Sequence, residues 1–329
     1  MRLLTYVHSK NQEKVGILGK HGVIDALAAW HWLKEKTSHA KQDSPPIDML
    51  TVIRHQDTLL PDFRSILSAE EEGTLPLSFI LNEADLKIIS PIPRPVSMRD
   101  GYAFRQHVES ARKGRGLPMI PEFDLFPVFY FTNHLAVTGP GDVFVQKMAQ
   151  ERLDFELEAA IVIGRECKNV SAEDADEMIF GYTIMNDWSA RALQTEEMKL
   201  NLGPAKGKDF ATSLGPYLIT RDELSPKAIP SAKGERHDLR MKAFLNGNQL
   251  SDGNMKDMNW TFGQILERAS YGVTLQPGEV IGSGTVGTGC LMELNGSKIT
   301  DNLWLKPGDE MVLEIEGMGR LVNRVVAAD

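Results

Sequence analysis

Two glutamates lie two residues apart in the segment DFELEAAIVIG, residues 154–164. Phe155 and Leu157 alternate with them at the period of a β-strand, so the pattern places Glu156 and Glu158 on one face. Like charges this close on a strand repel each other. A hard divalent cation such as Mg²⁺ or Ca²⁺ prefers oxygen ligands and would remove the repulsion. The pair is therefore a candidate metal site.

Two aspartates offer further oxygen ligands. Asp187 ends the predicted strand FGYTIMND, but it could also cap the helix that NDWSARALQ begins, a role that Ser189 could take equally well. Asp100 lies in SMRDGYAFRQH, seven residues before His107. Spacing alone leaves both a ligand role and a plain structural role open for each aspartate.

The glycine-rich loop GSGTVGTG, residues 282–289, matches the pattern G-x-G-x-x-G. A dinucleotide site of this kind must open a helix whose N-terminus holds the pyrophosphate. The next segment, CLMELNG, is predicted to be a strand, so a nucleotide site is disfavoured. We expect the glycines to let the backbone approach a ligand or another strand. The patterns G-x-S-x-G, H-E-x-x-H and C-x-x-C do not occur, which argues against a serine-hydrolase elbow and the common zinc sites.

The first ninety residues contain the elements that precede these motifs. RLLTYV, KVGILG and GVIDAL are predicted strands, and two helical stretches follow, ALAAWHWLKEKT and the segment from IDMLTVIRH to SILSAEEE. The run SPIPRPVS, residues 90–97, holds three prolines, which neither a helix interior nor a central strand accepts. The sequence therefore predicts an N-terminal domain over 1–92 and a second domain over 93–329.

The second domain is predicted to be mostly β with flanking helices, an α+β fold resembling a β-roll or barrel. Its further strand segments are VFVQ, PYLITRD, LRMKAFLNGNQLS, EVIGSG, MVLEIEG and RLVNRVV. Helices are expected at 172–179, 189–200 and 259–270. Asn246 and Gly247 separate two alternating runs and predict a β-hairpin.

Composition narrows the class of protein. The 329 residues are 42% hydrophobic and 25% charged, as in an ordinary globular protein. The net charge of −9 and the absence of a basic run make nucleic acid and anionic membrane poor partners. Two cysteines favour a reducing compartment, and no signal peptide or membrane span is recognised, so a cytoplasmic location is expected.

Taken together, these segments resemble the fumarylacetoacetate hydrolase family. DGYAFRQH is similar to the family segment that carries a metal-binding Asp100, a substrate-binding Tyr102 and a catalytic His107. DFELE is similar to its paired glutamate strand, which implies metal ligation by Glu156 and Glu158. The resemblance thus implies a bound cation, which would offset the repulsion between the two glutamates.

Further roles follow from the same resemblance. MNDWSARALQ implies a metal ligand at Asp187 and substrate binding at Gln194, and GPAKGKDFATSLGPYL implies a catalytic Lys208. The remaining implied residues are Thr285 in GSGTVG and Tyr130 in FPVFY, which would bind substrate, and Glu293 in CLMEL, which would assist His107.

Two stretches depart from the family. The family's substrate-binding arginine corresponds to Arg112, Lys113 or Arg115 in VESARKGRGLP, and Arg115 is favoured. Met198 stands where fumarylacetoacetases have a second tyrosine. These departures bear on the substrate, because the other positions match.

The resemblance implies a small SH3-like N-terminal domain, a β-roll catalytic domain and a homodimer. It also implies hydrolysis of a carbon–carbon bond in a β-diketone acid, most directly fumarylacetoacetate, in tyrosine and phenylalanine breakdown. Mg²⁺ or Ca²⁺ would be the cofactor, with Mn²⁺ as an alternative. Related members hydrolyse acylpyruvates, decarboxylate oxaloacetate or isomerise unsaturated keto acids. A metal-binding structural module is the non-enzymatic alternative.

Overall fold

The computed structural model describes residues 1–8, 12–37, 44–114 and 116–328. Its N-terminal part contains β1 (Arg2–His8), β2 (Gln12–Leu18), β3 (Val23–Asp25), α1 (Ala26–Thr37), α2 (Met49–Arg54), α3 (Gln56–Glu71), β4 (Ile80–Leu81) and β5 (Lys87–Ile89). The strands and helices predicted for this part are confirmed. Helix α2 begins after Asp48, whose carboxylate accepts a hydrogen bond from the Thr51 amide at 2.7 Å.

The rest of the chain is richer in strands. They are β6 (Met98–Gly101), β7 (Phe129–Phe131), β8 (Val137–Thr138), β9 (Gly141–Val145), β10 (Leu153–Asp154), β11 (Leu157–Ile163), β12 (Ile179–Asp187), β13 (Ser189–Ala190), β14 (Thr212–Thr220), β15 (Ala228–Ile229), β16 (Arg236–His237), β17 (Arg240–Leu245), β18 (Asn248–Asn254), β19 (Val280–Gly282), β20 (Glu310–Ile315) and β21 (Gly319–Ala327). The helices are α4 (Arg105–Lys113), α5 (Lys147–Gln150), α6 (Arg191–Glu197), α7 (Arg221–Leu224), α8 (Phe262–Ser270) and α9 (Leu291–Gly296).

Most of these strands belong to two sheets. The larger has the order β4-β3-β2-β1-β14-β12-β11-β19-β6-β7, with β5 beside β1 and β8 beside β14. The smaller has the order β18-β17-β20-β21-β9. Neither order returns to its first strand, so the described strands close no barrel. The mostly β, α+β class is confirmed.

The large sheet runs across the predicted domain boundary. Strand β1 pairs antiparallel with β14, where Leu3 lies opposite Leu218. Residues 90–97 form neither helix nor strand, as their prolines require. The division at residue 92 and the SH3-like form of the first part stay predictions.

Strand β11 lies at the centre of the large sheet and is buried at all seven positions. Leu157 and Ile161 pack into the core of the second part, whereas Ala160 and Val162 pack into the core shared with the N-terminal strands. Because both faces are covered, the strand sequence is a continuous apolar run after its glutamate. The hairpin at Asn246 and Gly247 is also confirmed, with φ of 51° and 81°.

Several local predictions are wrong. The helix expected over 172–179 is only the 3-10 turn Ala175–Met178. DFELEAAIVIG is not one strand, since β10 pairs with β13 while β11 pairs with β12 and β19, and Glu156 lies at the junction. Helix α6 starts at Arg191 without a side-chain cap, so neither Asp187 nor Ser189 caps it.

Among the helices of the described chain, none has the length and apolarity to cross a bilayer.

Candidate active site

Four carboxylates converge where neighbouring strands of the large sheet end or begin. One carboxylate oxygen from each lies within 4.8 Å of those from the other three, and all four side chains are buried; they are Asp100, Glu156, Glu158 and Asp187. The strand order β12-β11-β19-β6 explains the convergence, because Gly282 of β19 lies opposite both Ala160 of β11 and Asp100 of β6. We call this set the carboxylate cluster.

The glycine-rich loop holds two members of the cluster. The Gly284 amide, at φ of 78°, lies 3.1 Å from both Asp100 Oδ1 and Glu158 Oε2 and donates to them. A Cβ at Gly282 would come within 2.4 Å of Asp100 Oδ1 and 2.9 Å of Glu158 Oε2. Glycine is therefore required for this close approach to the acids.

Burial and mutual repulsion raise the proton affinity of most of the cluster. Burial, with the nearby Asp187 charge, raises the pKa of Asp100 to about 7. Burial and the charge of Asp100 hold the pKa of Glu158 well above its usual range. Burial also raises the pKa of Asp187, against the opposing effect of Lys208. The positive charge near these three acids is too small to offset their burial and mutual repulsion, so their ionised forms are disfavoured.

Glu156 has the opposite environment. Burial alone would raise its pKa, but Lys208, Arg191 and His107 lower it to about 2. Lys208 Nζ bridges Glu156 Oε2 and Asp187 Oδ2, the second contact at 2.9 Å. Arg191 Nη2 donates to Glu156 Oε1 at 2.7 Å. This glutamate is ionised and fixed in place.

The donor set fits a hard divalent cation. Every available ligand atom is a carboxylate oxygen, the chemistry that Mg²⁺ and Ca²⁺ prefer. Asp187 Oδ1 is buried and has no hydrogen-bond partner among the described residues, so one acceptor is left for an ion. A bound cation would also offset the repulsion that raises the pKa of Asp100 and Glu158.

A buried histidine and glutamate form a second functional group. His107 Nδ1 and Glu293 Oε2 lie 2.8 Å apart, on α4 and α9, and both side chains are shielded from solvent. With Glu293 ionised, the contact assigns the proton to Nδ1 and leaves Nε2 as the basic nitrogen. The Tyr102 ring packs edge-on against the imidazole, with centroids 5.8 Å apart. This geometry would allow the imidazole to act as a general base whose orientation is fixed by the carboxylate.

The element that carries Glu293 differs from the prediction, since CLMELNG is helix α9 and not a strand. A helix of six residues is too short for its hydrophobic period to be recognised in the sequence. Its cap is also weak, because it is Cys290, whose Sγ lies 3.4 Å from the Glu293 amide. The loop 282–289 therefore does precede a helix. A nucleotide is still disfavoured, because Asp154 already accepts the Leu291 and Met292 amides at 2.6 and 3.0 Å.

Of the remaining predicted residues, two contact the cluster directly and a third contacts Arg191, which binds Glu156. The Tyr130 hydroxyl donates to Asp187 Oδ2, and Thr285 Oγ1 lies 3.4 Å from Glu158 Oε1. Gln194 Oε1 accepts from Arg191 Nη1 at 2.9 Å. Arg115 lies outside the described residues.

Met198 and the two alternatives to Arg115 lie within the described residues. Met198 follows α6, four residues after Gln194, and is 43% exposed. Arg112, an alternative to Arg115, donates through Nε to the Pro118 carbonyl. Lys113 is exposed in the last turn of α4.

Three supporting residues were missed. Asp154 precedes Glu156 and Glu158 at the same two-residue interval, so the period that singled out the glutamates also included it. Arg191 lies three residues before Gln194, one helical turn away. Glu197 accepts the amides of residues 205–207, immediately before Lys208, at 2.8, 2.8 and 3.0 Å.

Comparison with known proteins identifies the family. The family model described as fumarylacetoacetate (FAA) hydrolase C-terminal matches residues 97–326. The chain belongs to the fumarylacetoacetate hydrolase family. It is 30% identical to oxaloacetate tautomerase YisK of Bacillus subtilis (strain 168) over 255 residues, 75% of this chain and 76% of the relative.

One further relative and one solved structure are also similar to this chain. The chain is 30% identical to fumarylacetoacetase of Oryza sativa subsp. japonica over 275 residues, 67% of this chain and 64% of the relative. The crystal structure of maleylpyruvate hydrolase from Sphingobium sp. SYK-6, in complex with manganese(II) ion and pyruvate, matches all of both chains. Its TM-score is 0.68 at 22% identity, which establishes a common fold.

Proposed function

We propose that this protein is a cation-dependent hydrolase that cleaves a carbon–carbon bond in a β-diketone acid, with fumarylacetoacetate as substrate and fumarate and acetoacetate as products. The observation that carries the proposal is the buried 2.8 Å contact between His107 and Glu293. His107 is also close enough to the carboxylate cluster to lower the pKa of Glu156, after the effects of burial, Lys208 and Arg191. A base therefore lies beside a cation site.

Asp100, Glu156, Glu158 and Asp187 would hold the cation, Mg²⁺ or Ca²⁺, with Mn²⁺ as an alternative suggested by the manganese complex of the maleylpyruvate hydrolase. When bound, a divalent cation polarises substrate oxygens and stabilises negative charge that develops on them. The chain itself must supply a base, hydrogen-bond donors and a closed environment.

His107 would accept a proton from the attacking water through Nε2. The water oxygen bonds to the carbonyl carbon, and the neighbouring carbon–carbon bond then breaks. The electron pair of that bond passes to the departing enolate, which takes up a proton. Glu293 keeps the imidazole oriented and stabilises its protonated form.

Other residues would bind the substrate and its developing charge. Lys208, whose Nζ contacts Asp187 of the cluster, would be one donor, and Gln194, whose Oε1 accepts from Arg191 and whose amide group is left to donate, would be another. Donors that are fixed in advance stabilise an oxyanion. Tyr102, Tyr130, Thr285 and Arg115 are assigned to substrate binding by the family resemblance. The homodimer, the cytoplasmic location and the role in tyrosine and phenylalanine breakdown belong to the same proposal.

Oxaloacetate keto–enol tautomerisation is the second candidate, favoured by the Bacillus subtilis relative. It needs the same base but leaves every carbon–carbon bond intact. Three further alternatives are reactions of other family members. They are hydrolysis of acylpyruvates, decarboxylation of oxaloacetate and isomerisation of unsaturated keto acids. Membership of an enzyme family argues against the structural-module alternative.

A substrate panel distinguishes these candidates. Chelated protein, resupplied separately with Mg²⁺, Mn²⁺ and Ca²⁺, should cleave fumarylacetoacetate faster than fumarylpyruvate and leave oxaloacetate tautomerisation at its uncatalysed rate. Products are identified by chromatography. Tautomerisation without cleavage of either diketo acid would replace the hydrolase proposal with the second candidate.

Variants of the histidine pair test the base. His107→Ala should lower kcat about 10²–10⁴-fold while cation affinity stays unchanged. Glu293→Gln should lower kcat in the same direction. The matched control is His21→Ala, which removes a histidine 3.3 Å from Glu70 outside the site and should leave kcat unchanged. A near wild-type kcat for His107→Ala would contradict the assigned role.

A further inference from the structure

Asp154 is a completely buried carboxylate next to the candidate site, and the proposed chemistry does not use it. Each of its oxygens accepts two hydrogen bonds. Oδ1 accepts the amides of Phe155 and Leu291 at 2.9 and 2.6 Å, and Oδ2 accepts the Met292 amide and Arg191 Nε at 3.0 and 2.8 Å. Because all four bonds come from fixed groups, the carboxylate has one possible position.

These bonds join two functional groups that come from distant parts of the chain. On one side, Asp154 binds the first amides of α9, the helix that carries Glu293 and so orients His107. On the other side it binds Arg191, whose Nη2 holds the cluster member Glu156 at 2.7 Å. Asp154 is thus linked through α9 to the His107–Glu293 pair and through Arg191 to Glu156 of the carboxylate cluster.

We propose that Asp154 is a positioning residue that sets the placement of the His107–Glu293 pair relative to the carboxylate cluster. The inference rests on the proposed function for the roles of those two groups. Without this carboxylate, α9 would keep only the weak Cys290 cap. Arg191 would keep its partner Glu156 but would lose the hydrogen bond through Nε that fixes its guanidinium group.

A charge-balancing role alone does not require this geometry. Arg191 could be neutralised by Glu156 alone, and an acid near α9 would interact favourably with the helix N-terminus without touching Arg191. One carboxylate performs both tasks, so a shift of either partner is transmitted to the other. This coupling predicts effects on kcat and on cation binding together.

The test uses Asp154→Asn, which keeps the side-chain shape but replaces one acceptor oxygen with a donor that faces Arg191 or α9. We expect kcat to fall on the order of 10²-fold, the cost of a misplacement of about 1 Å, with KM little changed. Mn²⁺ affinity, measured by calorimetry on the chelated protein, should weaken about 10-fold.

Asp309→Asn is the matched control. Asp309 is also buried and accepts two hydrogen bonds, from Asn246 Nδ2 and the Lys306 amide at 2.9 Å each, but these bonds tie together turns of the smaller sheet. Its substitution should lower thermal stability and leave kcat and Mn²⁺ affinity unchanged. Equal kcat losses in both variants would reduce Asp154 to a structural residue and overturn the proposal.

A double-mutant cycle tests the route of the effect. In the Glu293→Gln background, Asp154→Asn should cost kcat less than about 3-fold further, because residues that act as a unit are not additive. Losses that multiply would overturn the proposal. If Asp154→Asn does not fold, Arg191→Lys breaks the link from the other side and should weaken Mn²⁺ binding; unchanged Mn²⁺ affinity there would also overturn it.

The two readouts separate this inference from the proposed function. Cation affinity needs no substrate, so weakened Mn²⁺ binding by Asp154→Asn would be seen even if the wild-type protein cleaved no diketo acid. In that case kcat is measured on whichever substrate of the panel the wild-type protein converts. Unchanged Mn²⁺ affinity in a fully active Asp154→Asn variant would overturn the positioning role and leave the hydrolase proposal intact.

Discussion

Asp154 and Glu156 form ion pairs with positively charged side chains, whereas Asp100 and Glu158 both accept hydrogen bonds from the Gly284 amide. Arg191 contacts both members of the first pair, and Lys208 adds a second cation to Glu156. Among the described residues, no lysine or arginine forms an ion pair with Asp100 or Glu158. The charge of Glu156 is therefore already balanced within the carboxylate cluster, whereas Asp100 and Glu158 still lack a positive partner. The difference indicates which members of the cluster would gain most from a bound cation.

The largest expected difference between the pairs is in stability without a cation. Glu156→Gln would leave Arg191 with Asp154 alone and Lys208 with Asp187 alone, an acid that burial makes harder to ionise, so we expect a loss of about 3–5 kcal/mol in the free energy of unfolding. Glu158→Gln removes repulsion and should cost little. Chemical denaturation in the presence of chelator measures both, and equal losses would erase the distinction.

The next largest effect concerns the cation itself. At a concentration of 100 times Kd, Mg²⁺ or Mn²⁺ should stabilise the wild-type protein by about 2.7 kcal/mol, because it binds only the folded state. Thermal denaturation should show the upward shift. Glu158→Gln is expected to abolish most of it, since it removes a carboxylate ligand. A shift that persists in this variant would place the cation elsewhere.

A smaller effect concerns the loop that carries Lys208. Glu197 fixes residues 205–207 through three amides, and Glu197→Gln would set its amide group against one of these donors. We expect kcat/KM to fall about tenfold, or about 1.4 kcal/mol, because Lys208 would be less well placed.

Glu196→Gln, an exposed neighbour on α6, is the control for that variant and should leave kcat/KM unchanged. If both variants are fully active, Glu197 does not help to place Lys208. The bridge from Lys208 to Glu156 would then depend on the ion pairs alone.

The smallest effect is expected outside both acid pairs, at Met198. A thioether cannot donate a hydrogen bond, whereas a tyrosine hydroxyl can. Met198→Tyr should lower KM for fumarylacetoacetate more than it raises kcat, with a gain of about 0.5–1.5 kcal/mol. Unchanged kcat/KM for every diketo acid tested would place residue 198 outside the substrate site.

Seven strands of the large sheet were predicted from their apolar patterns, whereas the short strands β4 to β8 were missed, among them β6, which carries Asp100. The same period drew attention to Glu156 and Glu158, and the family resemblance added Asp100 and Asp187, which the structure brings within reach of one another. Their convergence depends on strand order, which no local pattern reveals. Position in the sheet, and not spacing along the chain, makes them neighbours.

The errors share a physical cause, which is that the deciding partner lies far away in sequence. CLMELNG becomes a helix with its first amides bound by Asp154, 137 residues before Leu291. Arg191, at the start of α6, is buried because it forms ion pairs with Asp154 of β10 and with Glu156, which lies just after that strand. Short segments whose ends are satisfied by remote side chains carry too little local signal to be assigned.

The strand order also has a consequence for synthesis of the chain on the ribosome. Strand β6 carries Asp100 but pairs in parallel with β19, so its partner emerges only after about 180 further residues have been made. Until then Asp100 has no Gly284 amide beside it, and the four acids, although all made by residue 187, lack the strand that lies between β6 and β11. A cation held by these four acids would therefore bind only late in translation, and a chain stopped before residue 280 should retain no cation on gel filtration.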